Sequence, residues 1–161
     1  MPARWRATRS LRRQARASGA QRALWVSPLR RFPDEELREQ YAHCRALLFA
    51  GEEDFGIVPV EALSFGRPVI VFGRGGVMET VKGFYPDAPA PAETACGVFF
   101  REQSTDSLVE AIRVFEAAES RFSPFFISQQ AERFDETHFK EKFGQFVAEK
   151  LEEGQYPAVP L

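Results

Sequence analysis

The stretch Gly51-Glu52-Glu53-Asp54-Phe55-Gly56-Ile57-Val58-Pro59-Val60-Glu61-Ala62-Leu63-Ser64-Phe65-Gly66 constrains the fold more than any other part of this chain. The apolar run Ala46-Leu47-Leu48-Phe49-Ala50 before it reads as a short buried strand. An acidic, glycine-flanked turn follows, and then a short helix. Gly66 suits the position just past the helix C-terminus, and Pro68 forbids continuation. Pro59 is tolerated only in the first turn, where its missing N–H breaks no helical hydrogen bond. The helix therefore starts near Phe55 or Gly56. A strand feeding a glycine-bearing helix start gathers unpaired N–H groups and the positive end of the helix dipole in one place. That geometry binds anions.

Two carboxylates frame this anion site. Glu53 lies on the turn, and Glu61 a little over one turn into the helix. An acid inside a phosphate-binding loop is electrostatically unfavourable unless it has separate work. Carboxylates accept hydrogen bonds from sugar hydroxyls, so two of them bracketing a diphosphate can hold a sugar at each end. On the residues alone a second reading stands beside this one: Glu52, Glu53 and Asp54 complement the helix dipole, at about 0.3–1 kcal/mol each.

Around this centre, short apolar runs alternate with helical patterns. Ala23-Leu24-Trp25-Val26-Ser27, the run at 46–50, Pro68-Val69-Ile70-Val71-Phe72 and Gly97-Val98-Phe99-Phe100 read as four strands. The continuous apolar runs mark strands covered on both faces. Asp34 is placed to cap a helix whose Leu37 and Tyr41 face the sheet. Ser104 or Thr105 caps a helix over 106–119, with Leu108, Ile112 and Phe115 as its apolar stripe. Ser123-Pro124 opens another helix, and Asp135 begins the last. There Phe139, Phe143, Phe146 and Val147 recur at helical spacing, as core or docking surface rather than a ligand box. Residues 83–95, with three prolines, read as a surface loop.

The alternation predicts an α/β fold: a Rossmann-like parallel sheet of about four short strands with flanking helices. Ligands in such sheets sit beyond the carboxyl ends of the strands, so the Glu53 turn and the Gly75-Gly76 loop can line one crevice. The loop Gly73-Arg74-Gly75-Gly76 is a poor dinucleotide fingerprint. Met78 stands where a third small residue belongs, and no ribose acid lies about twenty residues on.

At 161 residues the chain is one domain in length. It divides into a basic helical segment at 1–22, a Rossmann-like domain at 23–153 and a tail at 154–161. No apolar run approaches the roughly eighteen residues that span a bilayer, and the amino end lacks a secretory core. Cys44 and Cys96 have no metal-ligand spacing and read as buried or half-buried thiols. Only His43 and His138 are available, which argues against zinc or a histidine triad. No metal and no cofactor is expected.

The net charge of −2 hides an asymmetry. The first 33 residues hold nine arginines and no acid, so the remainder carries −11. The basic segment fits an ordinary surface helix, an organellar presequence, or a patch for nucleic acid or anionic membrane.

Glu53 and Glu61 sit within Glu-Asp-Phe-Gly-Ile-Val-Pro-Val-Glu-Ala-Leu. That motif is followed in register by Gly66-Arg67-Pro68-Val69-Ile70 and Gly75-Gly76-Val77-Met78-Glu79-Thr80-Val81. Pro33-Asp34-Glu35-Glu36-Leu37 precedes it and Ala131-Glu132-Arg133-Phe134 closes the pattern. In this combination the chain resembles the donor-binding carboxy-terminal domain of retaining GT-B glycosyltransferases, group 1 or family 4. The likeness runs from about Leu24 to Leu151.

The resemblance implies transfer of a hexose from a nucleotide-diphosphate sugar with retention of anomeric configuration. It assigns the donor sugar's hydroxyls and a catalytic role to Glu53, and the nucleotide ribose to Glu61. The amides of Phe55, Gly56, Ile57 and Val58 would hold the sugar and the diphosphate, with Arg74, Gly75 and Gly76 lining the donor site. Phe72-Gly73-Arg74-Gly75-Gly76 resembles bacterial mannosyltransferases of surface polysaccharide, a pointer to GDP-mannose. A cytoplasmic location, with peripheral contact at the inner membrane face, follows from the same likeness.

The departure from the family is large. The amino-terminal acceptor domain and the basic motif that neutralises the diphosphate have no counterpart in this sequence, leaving Arg67, Arg74 or Lys82 as candidates for the latter. The chain reads as an incomplete GT-B domain: a shifted start, a gene fragment or one subunit of a split enzyme. It is expected to be inactive or very slow alone and to need an acceptor domain or partner chain. Two other classes stay open, a non-catalytic nucleotide-sugar-binding module and an interaction protein whose basic amino end meets anionic partners.

Overall fold

The computed structural model describes residues 33–88 and 92–153. Helix α1 (Asp34–His43) leads into β1 (Leu47–Phe49), α2 (Ile57–Ser64) and β2 (Val69–Phe72). The single-turn helix α3 (Val77–Thr80), β3 (Gly83–Phe84) and β4 (Gly97–Phe100) follow. The chain then runs through α4 (Thr105–Ala118), α5 (Pro124–Glu132) and α6 (Glu136–Glu152). Short 3₁₀ turns lie at Ala92–Thr94 and Glu119–Arg121. The four strands form one sheet in the order β1-β2-β4-β3, and every pairing is parallel. The α/β fold with a parallel sheet matches the sequence reading.

Among the described residues, one strand of the sheet was not part of that reading. The expected strand at 23–27 and the basic segment at 1–22 lie outside the described residues, as does the tail at 154–161. That described strand is β3, inside the stretch read as a proline-rich loop. Two residues are too short to leave a periodic signal, and Gly83 pairs there with Gly97 of β4. A Cβ on Gly83 would lie 2.8 Å from the Phe99 ring, so a side chain at this position would have to displace that ring.

Burial explains the apolar runs. All four residues of β2 and all four of β4 are buried, as expected for strands covered on both faces. Leu63 and Ala62 of α2, Ala111 and Phe115 of α4, and Ile127 of α5 close over them. Phe115, Phe122 and Phe84 form a chain of ring contacts at 5.8 and 6.2 Å between centroids. Tyr41 of α1 is buried, with Leu37 partly buried beside the core, the pair the sequence placed against the sheet.

The helix ends follow local chemistry. Ser104, Ser123 and Asp135 each accept a backbone N–H three residues on, from Ser107, Phe126 and His138. Asp34 is not a cap: Pro33 occupies that position and Asp34 is the first helical residue. Helix α2 ends in a Schellman motif. Gly66, at φ +67°, donates to the Leu63 carbonyl at 2.8 Å, and Arg67 donates to Ala62 at 3.1 Å. Helix α6 buries none of its residues. Phe139, Phe143 and Phe146 are more than half exposed, so among the described residues these rings are not core.

Candidate functional site

The site is built from loops at the carboxyl ends of the strands. The turn 50–56 follows β1, and the loop 73–76 follows β2. The Gly76 N–H donates to the Glu53 carbonyl at 2.8 Å. The buried Thr80 hydroxyl lies 3.2 Å from the Phe55 carbonyl and 3.1 Å from that of Gly76, bridging the two loops. The loop after β4 joins them through the Gln103 amide, which donates to Ala50 at 2.9 Å. After β3, the Tyr85 hydroxyl donates to the Gly73 carbonyl at 3.3 Å. Four strand ends thus converge on one surface, as parallel sheets present their ligand-binding edge.

Space decides the glycines. A Cβ on Gly76 would collide with the Asp54 carbonyl and lie 2.5 Å from Phe55 Cα, although its backbone is ordinary helical. A Cβ on Gly75 would sit 2.5 Å from the Glu53 carbonyl, and its φ is +68°. Gly75 and Gly76 are therefore needed for the two loops to touch. This corrects one part of the expected ligand contact: the Gly76 amide is already occupied by Glu53, while the Gly75 amide has no acceptor among the described residues.

Gly56 caps α2 in the left-handed conformation, φ +77° and ψ +53°. The helix begins at Ile57, one or two residues later than read, and Pro59 is its third residue. No side chain caps this end. Among the described residues the amides of Phe55, Gly56, Ile57 and Val58 have no hydrogen-bond acceptor. Amide donors left without an acceptor at a helix start can solvate an anion that the protein itself does not provide.

The two acids are exposed and differently held. The Glu53 carboxylate has no hydrogen-bond or ion-pair partner among the described residues. Glu61 accepts a hydrogen bond at Oε2 from the Tyr41 hydroxyl at 3.0 Å. Burial, and then this bond to Glu61, push the Tyr41 phenol far above its ordinary range, so it stays a donor. Sequence reasoning placed Tyr41 in the core and missed this polar contact. A tyrosine facing inward four residues after a leucine was the available signal.

The basic candidates separate by position. Arg74 follows β2, is exposed, and has its guanidinium 6.0 Å from the centre of the Phe72 ring. Arg67 precedes β2 and donates to the Ala42 carbonyl, and Lys82 precedes β3 and lies over the Phe126 ring. Both therefore sit at the amino ends of the strands, away from the donor turn, and only Arg74 remains at the carboxyl edge. Arg133, in the closing motif, donates to the Glu79 and Thr80 carbonyls at 2.8 and 3.1 Å and so anchors the chain to α3. An open cavity of about 500 Å³ shares Asp54 and Phe55 with the turn and Gly76 with the loop after β2, and reaches Phe134, Phe139 and Phe143.

No helix among the described residues is long and apolar enough to cross a membrane. The model of the family "Glycosyl transferases group 1" matches residues 11–137. Human alpha-1,3/1,6-mannosyltransferase ALG2 is 35% identical over 120 residues, covering 68% of this chain and 28% of the relative. Starch synthase 1 of Arabidopsis thaliana, chloroplastic/amyloplastic, is 36% identical over 74 residues, 45% of this chain and 11% of the relative. A solved sucrose-phosphate synthase from Thermosynechococcus elongatus superposes with a TM-score of 0.59 at 24% identity. It covers 78% of this chain and 30% of that one, a likeness of fold. The chain thus spans less than a third of each of these proteins. With the family pattern matched across most of its length and the parallel sheet and helix-start turn in place, this chain belongs to the group 1 glycosyltransferases.

Proposed function

We propose that the chain binds a nucleotide-diphosphate sugar at the start of α2 and serves as the donor half of a retaining hexosyltransferase. One observation carries the reading: the amides of Phe55, Gly56, Ile57 and Val58 have no acceptor among the described residues. In this reading the diphosphate rests on those amides. The free carboxylate of Glu53 accepts from the donor sugar's hydroxyls, and Glu61 accepts from the ribose.

The chemistry follows from charge. As the glycosidic bond breaks, the diphosphate gains negative charge. Preorganised amides and the helix dipole favour that state over the bound ground state. Arg74, without a carboxylate partner among the described residues, is positioned at the same edge to add a positive charge. Gly75 contributes its amide; Gly76 contributes by holding the turn.

GDP-mannose is the donor we propose, supported by the Phe72–Gly76 sequence and by the likeness to a protein named as a mannosyltransferase. Full transfer requires an acceptor domain or partner chain beside this one, and a cytoplasmic site at the inner membrane face belongs to the same proposal. Calorimetric titration with GDP-mannose, GDP and UDP tests the reading. Binding is expected to weaken about tenfold in Glu61→Ala, a loss of one or two hydrogen bonds to a charged group. Equal affinity in wild type, Glu53→Ala and Glu61→Ala contradicts it.

A further inference from the structure

We propose that Tyr41 is a positioning residue for nucleotide binding: its hydroxyl fixes Glu61 so that the second carboxylate oxygen faces the ribose diol. This rests on the reading of Glu61 as the ribose acceptor and extends it to a residue on another helix. Glu61 is exposed on α2, and an exposed glutamate samples several rotamers that binding must freeze. Tyr41 removes part of that freedom beforehand. It donates to Oε2 at 3.0 Å across twenty residues of sequence, leaving Oε1 without a partner among the described residues.

Tyr41 is itself rigidly held. Its ring is 7% exposed and packs on Phe65 with centroids 5.7 Å apart. The end of α1 is tied to the end of α2 by Arg67, which donates to the Ala42 carbonyl. The Cys44 thiol donates to the Tyr41 carbonyl at 3.5 Å. The phenol stays protonated far above neutrality because burial and Glu61 both oppose its ionisation. It is therefore a fixed donor on a fixed helix, aimed at a mobile acceptor.

The test compares GDP and UDP with their 2′,3′-dideoxy counterparts, titrated into the full chain as wild type, Tyr41→Phe, Glu61→Ala and the double variant. The wild type should prefer each ribonucleotide. Tyr41→Phe should narrow that preference about five- to tenfold, leave dideoxy affinity unchanged and keep the thermal midpoint near that of the wild type. In the Glu61→Ala background, Tyr41→Phe should add nothing, the signature of one coupled pair. Full ribose preference in Tyr41→Phe, with that preference lost in Glu61→Ala, overturns the role of Tyr41 and leaves that of Glu61 standing. No ribose preference in the wild type overturns both.

Discussion

The Gly76 N–H donates to the Glu53 carbonyl at 2.8 Å, and no Cβ fits at Gly76. The residue carrying one candidate acid is thus set by a glycine 23 positions later. The close approach joins two loops that leave adjacent strands. It consumes one amide of the glycine pair and leaves the helix-start amides free.

Gly76→Ala should therefore act through the turn. An added methyl meets the Asp54 carbonyl and Phe55 Cα, backbone atoms that cannot rotate away. Destabilisation of about 1–3 kcal/mol is expected from denaturant unfolding, together with loss of nucleotide binding. Gly144→Ala on α6 is the contrast. Nothing lies within 4 Å of its Cβ, and mid-helix alanine should stabilise by about 0.5–1 kcal/mol.

Thr80→Val removes the hydroxyl that bridges the carbonyls of Phe55 and Gly76 while keeping the buried volume. Loss of about 1 kcal/mol in unfolding free energy is expected, because the Phe55 carbonyl loses its donor while the Gly76 carbonyl keeps the Glu79 and Thr80 N–H groups. Nucleotide affinity should fall with it, since the Phe55 amide belongs to the same turn.

Cys96 gives the alkaline behaviour a testable sign. Burial raises its thiol from the ordinary 9.0 to about 11. The folded protein therefore keeps a proton that the unfolded chain releases. The stability so contributed is intact below pH 9 and declines as pH rises to about 11, by up to roughly 2–3 kcal/mol. Cys96→Ala should flatten that part of the stability–pH curve, measured by urea unfolding at fixed pH values. An unchanged slope contradicts the assignment.

Asp135 acts at the opposite limb. Its carboxylate accepts the His138 backbone N–H at 2.8 Å, and that bond, then the His138 ring, hold its pKa below the usual range. Its contribution is present above the ordinary aspartate value and disappears as pH falls through the lowered one, below about pH 4. Asp135→Asn should make the acid limb shallower, as read by helix signal against pH.

The strands, the helix ends and the central turn were legible because each rests on local chemistry. Gly66 and Pro68 marked the end of α2, and the Schellman bonds of Gly66 and Arg67 realise that signal. Ser104, Ser123 and Asp135 were readable as caps for the same reason. What escaped depends on tertiary approach. The two-residue β3 is set by its pairing of Gly83 and Phe84 with Gly97 and Val98, which no local pattern announces. The occupancy of the Gly76 amide and the bond from Tyr41 to Glu61 join residues about twenty apart. Among the basic residues, only strand direction separates Arg74 from Arg67 and Lys82.

The central claim is that bare amides at the start of α2 receive a diphosphate. Backbone amide resonances of the ¹⁵N-labelled full chain, followed during titration with GDP, test it residue by residue. The account predicts saturable shifts and slowed hydrogen exchange at Phe55, Gly56, Ile57 and Val58. Gly76, already bonded to Glu53, should gain no exchange protection. Saturation by GDP with those four amides unmoved would contradict it.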